Sequence, residues 1–81
     1  MVRKAKLKYK SRLTNNDKKI GKRIRKLRKE IGLKQEELAE SLNITPQHLC
    51  YIENGKRRPS LPLARKLSKV LNITLGDLLV S

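Results

Sequence analysis

The chain has 81 residues, enough for one small domain but too few for a catalytic cavity in addition to a hydrophobic core. Its net charge is +14, and residues 1–29 hold 14 Lys and Arg against one acid, whereas residues 30–81 hold 7 Lys and Arg against 6 acids. This asymmetry indicates a polyanionic partner, nucleic acid before an anionic membrane surface, and the two Tyr without Phe or Trp disfavour a stacking platform for single strands.

Residues 1–16 are predicted to form a basic flexible arm, and residues 17–81 to form the folded domain. The arm contains six Lys and Arg and no acid, so charge repulsion disfavours both a core and a strand. Such an arm can act as a solubilising tail, or it can lie along phosphates and reach into a minor groove.

The first helix is expected to begin near Asn16 or Asp17, either of which can cap it, and to run to Ile31 before Gly32 ends it. Apolar residues recur at helical spacing along this segment and predict a buried stripe on one face. The stripe consists of Ile20, Ile24, Leu27 and Ile31.

Two charged residues fall where the pattern predicts burial. Arg28 lies at the edge of the apolar stripe, and Glu53 lies on the inner face of a later helix. A partly buried charge without a partner is costly, so Arg28 and Glu53 are predicted to form an ion pair.

Residues 33–60, LKQEELAESLNITPQHLCYIENGKRRPS, predict two short helices joined by a tight turn. The first covers Gln35–Leu42, and Asn43 tolerates the left-handed backbone that ends it. Thr45 can cap the second helix, and Pro46 suits its first position. This helix is expected to bury one face, which carries Leu49, Ile52 and Glu53. Gly55 is expected to let the chain turn away after the helix ends.

Two more helices are predicted after this unit. Ser60 can cap the fourth, and Thr74 and Asp77 have the spacing of a capping box at the start of the last. The fourth helix is expected to turn Leu61, Ala64, Leu67, Val70 and Leu71 toward the core. The last helix is richer in apolar residues than one short helix can bury, so these either complete the core or face a second subunit: Leu75, Leu78, Leu79 and Val80.

A B-DNA major groove admits one α-helix, and the polar outer face of the second short helix carries groups that can bind base edges. Gln47 can bind adenine, and Thr45 or Pro46 can contact a thymine methyl group. The predicted base-reading residues are Thr45, Pro46, Gln47, His48 and Tyr51. The predicted phosphate-binding residues are Lys34, Gln35, Asn54, Lys56, Arg57 and Arg58.

A metal site or a catalytic site is not supported by the sequence. His48 and Cys50 are two residues apart on a helix and point roughly 200° away from each other, so they do not converge on a metal or form a nucleophile and base. We therefore expect no metal, no cofactor, no small-molecule substrate and no enzymatic activity. No run is apolar enough to span a membrane and no secretory signal is present, so a cytoplasmic, nucleoid-associated protein is expected.

Three segments carry a family resemblance: KQEELAESLNI, TPQHLCYIENGKRRPS and ARKLSKVLNITLGDLL. Residues 20–80 resemble the all-α, five-helix DNA-binding domain of the phage Cro and lambda-repressor superfamily, the XRE-type helix-turn-helix. The resemblance implies that Gln35 binds a phosphate and that Arg28 and Glu53 match an internal ion pair. It also implies the base-reading positions Pro46, Gln47, His48 and Tyr51.

This sequence departs from the family pattern at two positions. Lys34 stands where a capping Thr is common, so the start of that helix should be less well fixed. Asn43 replaces the common turn Gly, a mild change because Asn tolerates positive φ. The basic arm is not part of the shared pattern.

These features predict a sequence-specific double-stranded DNA-binding transcriptional regulator that acts as a homodimer on an inverted repeat. The family resemblance implies a repressor more often than an activator. A phage or mobile-element repressor, a restriction-modification controller and an antitoxin that regulates its own operon all fit. The main alternative is an RNA-binding or ribosome-associated module that uses the basic arm. A membrane-surface peptide is disfavoured because the apolar residues of the first helix are needed for the core.

Overall fold

Five helices make up the fold, and the computed structural model describes the backbone of residues 2–79 and the side chains of residues 17–79. They are α1 (Val2–Ile31), α2 (Gln35–Leu42), α3 (Pro46–Glu53), α4 (Leu61–Val70) and α5 (Leu75–Leu79). Residues 2–79 contain no strand, and the predicted all-α, five-helix architecture is confirmed. No helix in this part of the chain is long and apolar enough to cross a membrane.

Helix α1 begins at Val2, so the prediction that it starts near Asn16 or Asp17 is wrong. No Gly or Pro interrupts residues 2–20, and the Lys, Arg, Leu and Ala in this segment favour helix. Asp17 is therefore an internal residue of α1 and does not cap it. The prediction of a flexible arm concerns residues 1–16, whose side chains lie outside the described residues.

The core forms where α1, α2, α3, α4 and α5 meet. Its fully buried large side chains are Ile24, Leu38, Leu42, Leu49, Ile52, Leu67 and Leu78. Burial of an aliphatic side chain contributes about 1.5–3 kcal/mol, so these residues supply the main force that holds the five helices together.

Two residues expected in the core are exposed. Ile31 is 48% exposed because the chain turns at Gly32, and Leu33 packs against the core in its place. Leu61 is 52% exposed, and Leu63 is buried instead. Leu61 lies about 120° around α4 from the fully buried Leu67, so it falls outside the buried stripe.

The backbones of α1 and α3 approach closely at Gly21. A Cβ atom at this position would press against the carbonyl oxygen of Ile52 and lie 2.6 Å from that of Glu53. Gly55, which follows α3, also packs against α1, because a Cβ there would lie 2.7 Å from the Cα of Lys18. These two glycines let α3 lie directly on α1.

Each of the four connections between the described helices contains one residue with positive φ. These residues are Gly32, Asn43, Gly55 and Asn72. The left-handed region is open to Gly and tolerated by Asn, so both residue types suit these turns.

Helix α5, the last helix of the chain, packs its leucines against the core. Leu78 is fully buried, while Leu75 and Leu79 are half-buried against the core. The hydroxyl of Thr74 accepts the backbone N–H of Asp77 at 3.0 Å, as the capping-box spacing predicted. Val80 lies outside the described residues.

Candidate nucleic-acid interface

The turn between α2 and α3 fixes where α3 begins. Asn43 adopts the left-handed conformation with φ 59°, and its N–H donates to the carbonyls of Ala39 and Glu40. The hydroxyl of Thr45 then accepts the backbone N–H of His48 at 3.1 Å, and Pro46 occupies the first turn of α3. A helix cap of this kind contributes about 1 kcal/mol, so the first turn of α3 is well defined.

The start of α2 has only one of the two hydrogen bonds of a capping box. Lys34 occupies the N-cap position, and its side chain makes no capping hydrogen bond. The Glu37 carboxylate accepts the backbone N–H of Lys34 at 2.8 Å, which is the other half of a capping box. Backbone N–H groups in the first turn of α2 therefore have no side-chain cap from Lys34.

Helix α3 separates an inner face from an outer face. Leu49, Ile52 and Glu53 are buried, whereas Gln47 and Tyr51 are exposed. On the outer face the side-chain amide of Gln47 donates to the hydroxyl of Tyr51 at 2.9 Å. This bond joins two predicted base-reading side chains one helical turn apart.

A shallow depression of about 340 Å³ occupies the outer face of α3 and the turn that follows it. We call it the recognition surface. Its lining residues are Thr45, Gln47, His48, Tyr51 and Arg57. Arg57, which is predicted to bind a phosphate, also lies beside the predicted base-reading residues, and Pro46 is exposed.

The other predicted phosphate-binding residues after α3 differ in their surroundings. Lys56 is exposed, and the Asn54 side chain donates to the Cys50 sulfur at 3.3 Å. Arg58 donates from Nε to the Asp17 carboxylate at 2.9 Å, although its side chain remains 46% exposed. The sequence did not predict this ion pair, which links the turn after α3 to α1.

Gln35 is half-buried, and its side chain already has a protein partner. Its Nε2 donates to Oε1 of Glu53 at 3.1 Å. Lys34, beside it, is exposed. The predicted phosphate-binding glutamine is thus hydrogen-bonded to a residue of the inner face of α3.

The structure brings Arg28 and Glu53 together inside the fold. Nε of Arg28 lies 2.7 Å from Oε2 of Glu53, and Nη2 lies 3.2 Å from Oε1. Nη1 of Arg28 donates to the Leu33 carbonyl at 2.9 Å. The two residues are only 8% and 5% exposed, and among the described side chains no buried polar atom lacks a hydrogen-bond partner. A bidentate pair with a third bond satisfies both buried charges.

The family of this chain follows from its similarity to known proteins. A family model described as Helix-turn-helix matches residues 24–78, which include all of α2, α3 and α4. The chain belongs to the helix-turn-helix family. The resemblance to the XRE-type helix-turn-helix is therefore confirmed.

Relatives of this helix-turn-helix chain are regulators. A helix-turn-helix transcriptional regulator of Archaeoglobus fulgidus is 40% identical over 58 residues, which is 72% of this chain and 83% of the relative. The control protein C.MunI of a Mycoplasma species is 44% identical over 66 residues, or 78% of this chain and 89% of the relative.

A solved structure gives the same result for the fold. The restriction-modification controller protein C.AhdI from Aeromonas hydrophila superposes with a TM-score of 0.74 at 34% identity, over 80% of this chain and 94% of that one. This helix-turn-helix chain is thus a transcriptional regulator with a DNA-binding domain, related to restriction-modification controller proteins. The two relatives are named as a transcriptional regulator and a control protein.

Among the described residues, no group of three His, Cys, Asp or Glu side chains could hold a metal ion. Cys50 is a free, half-buried thiol on α3. The exposed face of α3 offers hydrogen-bonding groups and the charge of Arg57 beside them.

Proposed function

We propose that this chain is a repressor that binds an inverted-repeat operator as a homodimer, with α3 in the major groove. The observation that carries the proposal is the recognition surface, which faces solvent on a helix whose opposite face is fully buried. A helix anchored on one side and polar on the other can enter the groove without rearranging the fold.

Base reading is assigned to residues of the recognition surface and its edge. The Gln47 amide can bind N6 and N7 of adenine, and Thr45 and Pro46 can contact a thymine methyl group. His48 and Tyr51 offer further donors, and Arg57 joins this set because its guanidinium can bind O6 and N7 of guanine.

Contacts with the DNA backbone are assigned to residues on either side of α3. Lys34 and Gln35 lie at the start of α2, and Asn54, Lys56 and Arg58 follow α3. Arg58 keeps its exposed guanidinium edge for a phosphate while Asp17 holds its Nε. Such contacts fix the orientation of α3, and the bases select the site.

Substitution of Gln47 by alanine tests base reading. On an operator recovered by selection from random duplexes, Gln47→Ala should weaken binding by about 1–3 kcal/mol, because a bidentate contact with adenine is lost. On random DNA it should change almost nothing. Fluorescence anisotropy titration with both duplexes measures the two effects.

Two controls accompany the Gln47 experiment. Removal of residues 1–12 deletes cations without touching the recognition surface and should weaken binding to both duplexes similarly. Lys66→Ala, at an exposed position on α4, should leave discrimination between them unchanged. Equal losses for Gln47→Ala on both duplexes would favour the alternative RNA-binding or ribosome-associated module.

The homodimer is proposed from an apolar depression beside α4. Leu61 is exposed, and together with neighbouring side chains it lines a depression of about 220 Å³. The other lining residues are Ile20, Arg58, Pro59, Ala64 and Leu79. A second copy seated here would cover Leu61 and present a second α3 to the next half-site, about 34 Å away.

Leu61→Lys tests this interface. The charge should separate the dimer, because an unpaired ammonium cannot be buried in an apolar contact. Sedimentation equilibrium should show a monomer, and affinity for the inverted repeat should fall while affinity for a single half-site is kept. Ile31→Lys changes an equally exposed apolar residue at the far end of α1 and should remain dimeric. A dimeric Leu61→Lys protein would refute this interface.

The regulatory context is drawn from the relatives. C.AhdI is by name a restriction-modification controller protein, C.MunI is by name a control protein, and a 10 kDa protein of the ImmF control region of Bacillus phage phi105 is 38% identical over 61 residues. Of the predicted contexts, we place the restriction-modification controller first and the phage repressor second.

A further inference from the structure

One carboxylate joins the first three helices of the fold. Glu53 on α3 accepts Nε and Nη2 of Arg28 from α1, and its Oε1 also accepts Nε2 of Gln35 from the start of α2. Glu53 is 5% exposed, whereas Gln35 is half-buried and reaches the surface. The buried ion pair therefore has a third member that extends to the proposed DNA side of the molecule.

The chemistry of an amide makes this third contact directional. Nε2 of Gln35 carries two hydrogens in the plane of the amide, and the bond to Glu53 uses one of them. A charged acceptor binds an amide more strongly than a neutral one does, so the carboxylate fixes the orientation of the amide plane. The second N–H and the amide oxygen remain for a ligand.

Donors for an anion lie around the second N–H of Gln35, and the same turn of α2 also carries the carboxylates of Glu36 and Glu37. Gln35 is the first residue of α2, and the Lys34 side chain does not cap the backbone N–H groups of that turn. Lys34 itself is exposed beside it. A phosphate approaching this end of α2 would meet the Gln35 amide, backbone donors and an ammonium group together.

We propose that Glu53 is a positioning residue for DNA binding, which orients the Gln35 amide so that its free N–H meets a backbone phosphate. Arg28 acts one step further away, because it holds the Glu53 carboxylate in place. The inference rests on the proposed function, since it assumes that Gln35 binds a phosphate. It assigns the buried ion pair a role in binding in addition to its role in stability.

A double-mutant cycle separates positioning from stability. Arg28→Met combined with Glu53→Leu replaces the pair by apolar side chains, a change that often preserves or improves stability. Gln35→Ala is then introduced into the wild-type protein and into this background. Dissociation constants are measured by fluorescence anisotropy on an operator duplex recovered by selection, and thermal melting verifies that each variant is folded.

In the wild-type protein, Gln35→Ala should weaken binding about tenfold, the effect of losing one hydrogen bond to a charged group. In the background without Glu53, the same substitution should weaken binding less than about twofold, because the amide is no longer oriented. A tenfold loss in both backgrounds would overturn the positioning role while the phosphate contact stands. No loss in the wild-type protein would overturn the phosphate contact as well.

The side-chain amide of Gln35 gives a second readout that needs no substitution. In ¹⁵N-labelled wild-type protein, one Nε2 proton should exchange slowly with solvent because it is bound to Glu53. Addition of the operator duplex should leave that proton protected and shift the resonance of the other. Rapid exchange of both protons in the free protein, or loss of protection on DNA binding, would overturn the proposal.

Discussion

Replacement of Arg28 by alanine is expected to lower the free energy of unfolding by about 3–5 kcal/mol. Arg28 supplies two of the three hydrogen bonds to the Glu53 carboxylate, which would stay buried with only the Gln35 amide as a partner. The third guanidinium bond, to the Leu33 carbonyl, would be lost as well. Domains of this size are stable by only about 5–15 kcal/mol, so the loss removes a large part of the total.

Urea denaturation followed by circular dichroism measures this effect. Arg25→Ala is the matched control, because Arg25 is an exposed arginine on the same helix, three residues away. Its midpoint should stay close to that of the wild-type protein, since exposed charges contribute little. A wild-type midpoint for Arg28→Ala would show that Glu53 obtains solvent or another partner in the folded protein.

Gly21→Ala is expected to destabilise the fold by about 2 kcal/mol, although alanine is the better helix former by about 1 kcal/mol. The added methyl group would press on the backbone carbonyls of Ile52 and Glu53. Backbone atoms cannot rotate away as a side chain can, so α3 must shift relative to α1. Because α3 carries the recognition surface, operator affinity should fall together with stability.

Gly76→Ala is the control for this substitution. Gly76 also lies within a helix, but a Cβ atom there would meet nothing within 4 Å. Its free energy of unfolding should be unchanged or raised by up to about 1 kcal/mol. If Gly21→Ala melted at or above the wild-type temperature, the close approach of α1 and α3 would be wrong.

Local sequence signals predicted the helix-turn-helix because they act within a few residues of one another. The cap at Thr45, the proline at Pro46 and the left-handed Asn43 each specify a helix boundary through neighbouring backbone groups. The pairing of Arg28 with Glu53 is a long-range contact. It could still be predicted, because a buried charge without a partner is costly and the two charges are opposite. Charge balance in the core made that pair predictable.

Other features depend on distances that no local pattern encodes. The bond between Arg58 and Asp17 joins residues 41 apart in sequence, and both are charged surface types that are usually solvated. The close packing at Gly21 is only weakly indicated by the sequence. A glycine inside a helix is unfavourable, so its presence usually has a packing reason. The sequence could indicate such a reason at Gly21 but could not show that the neighbour is α3.

The recognition surface shows the same division between local and long-range information. Helical spacing placed Gln47 and Tyr51 on the outer face of α3, where the structure also has them. Arg57 lies in a turn without helical periodicity, so its position beside them had to come from coordinates. The contact of Gln35 with Glu53 likewise depends on how α2 packs against α3.

The four left-handed residues in the connections constrain how this protein can diversify. Substitution at Gly32, Asn43, Gly55 and Asn72 is confined to the few amino acids that tolerate positive φ, whichever site the protein binds. The outer face of α3 is under no such constraint, because its side chains do not set the bends. A combinatorial library that fixes these four positions and randomises Gln47, His48 and Tyr51 should therefore yield folded proteins with altered sequence preference.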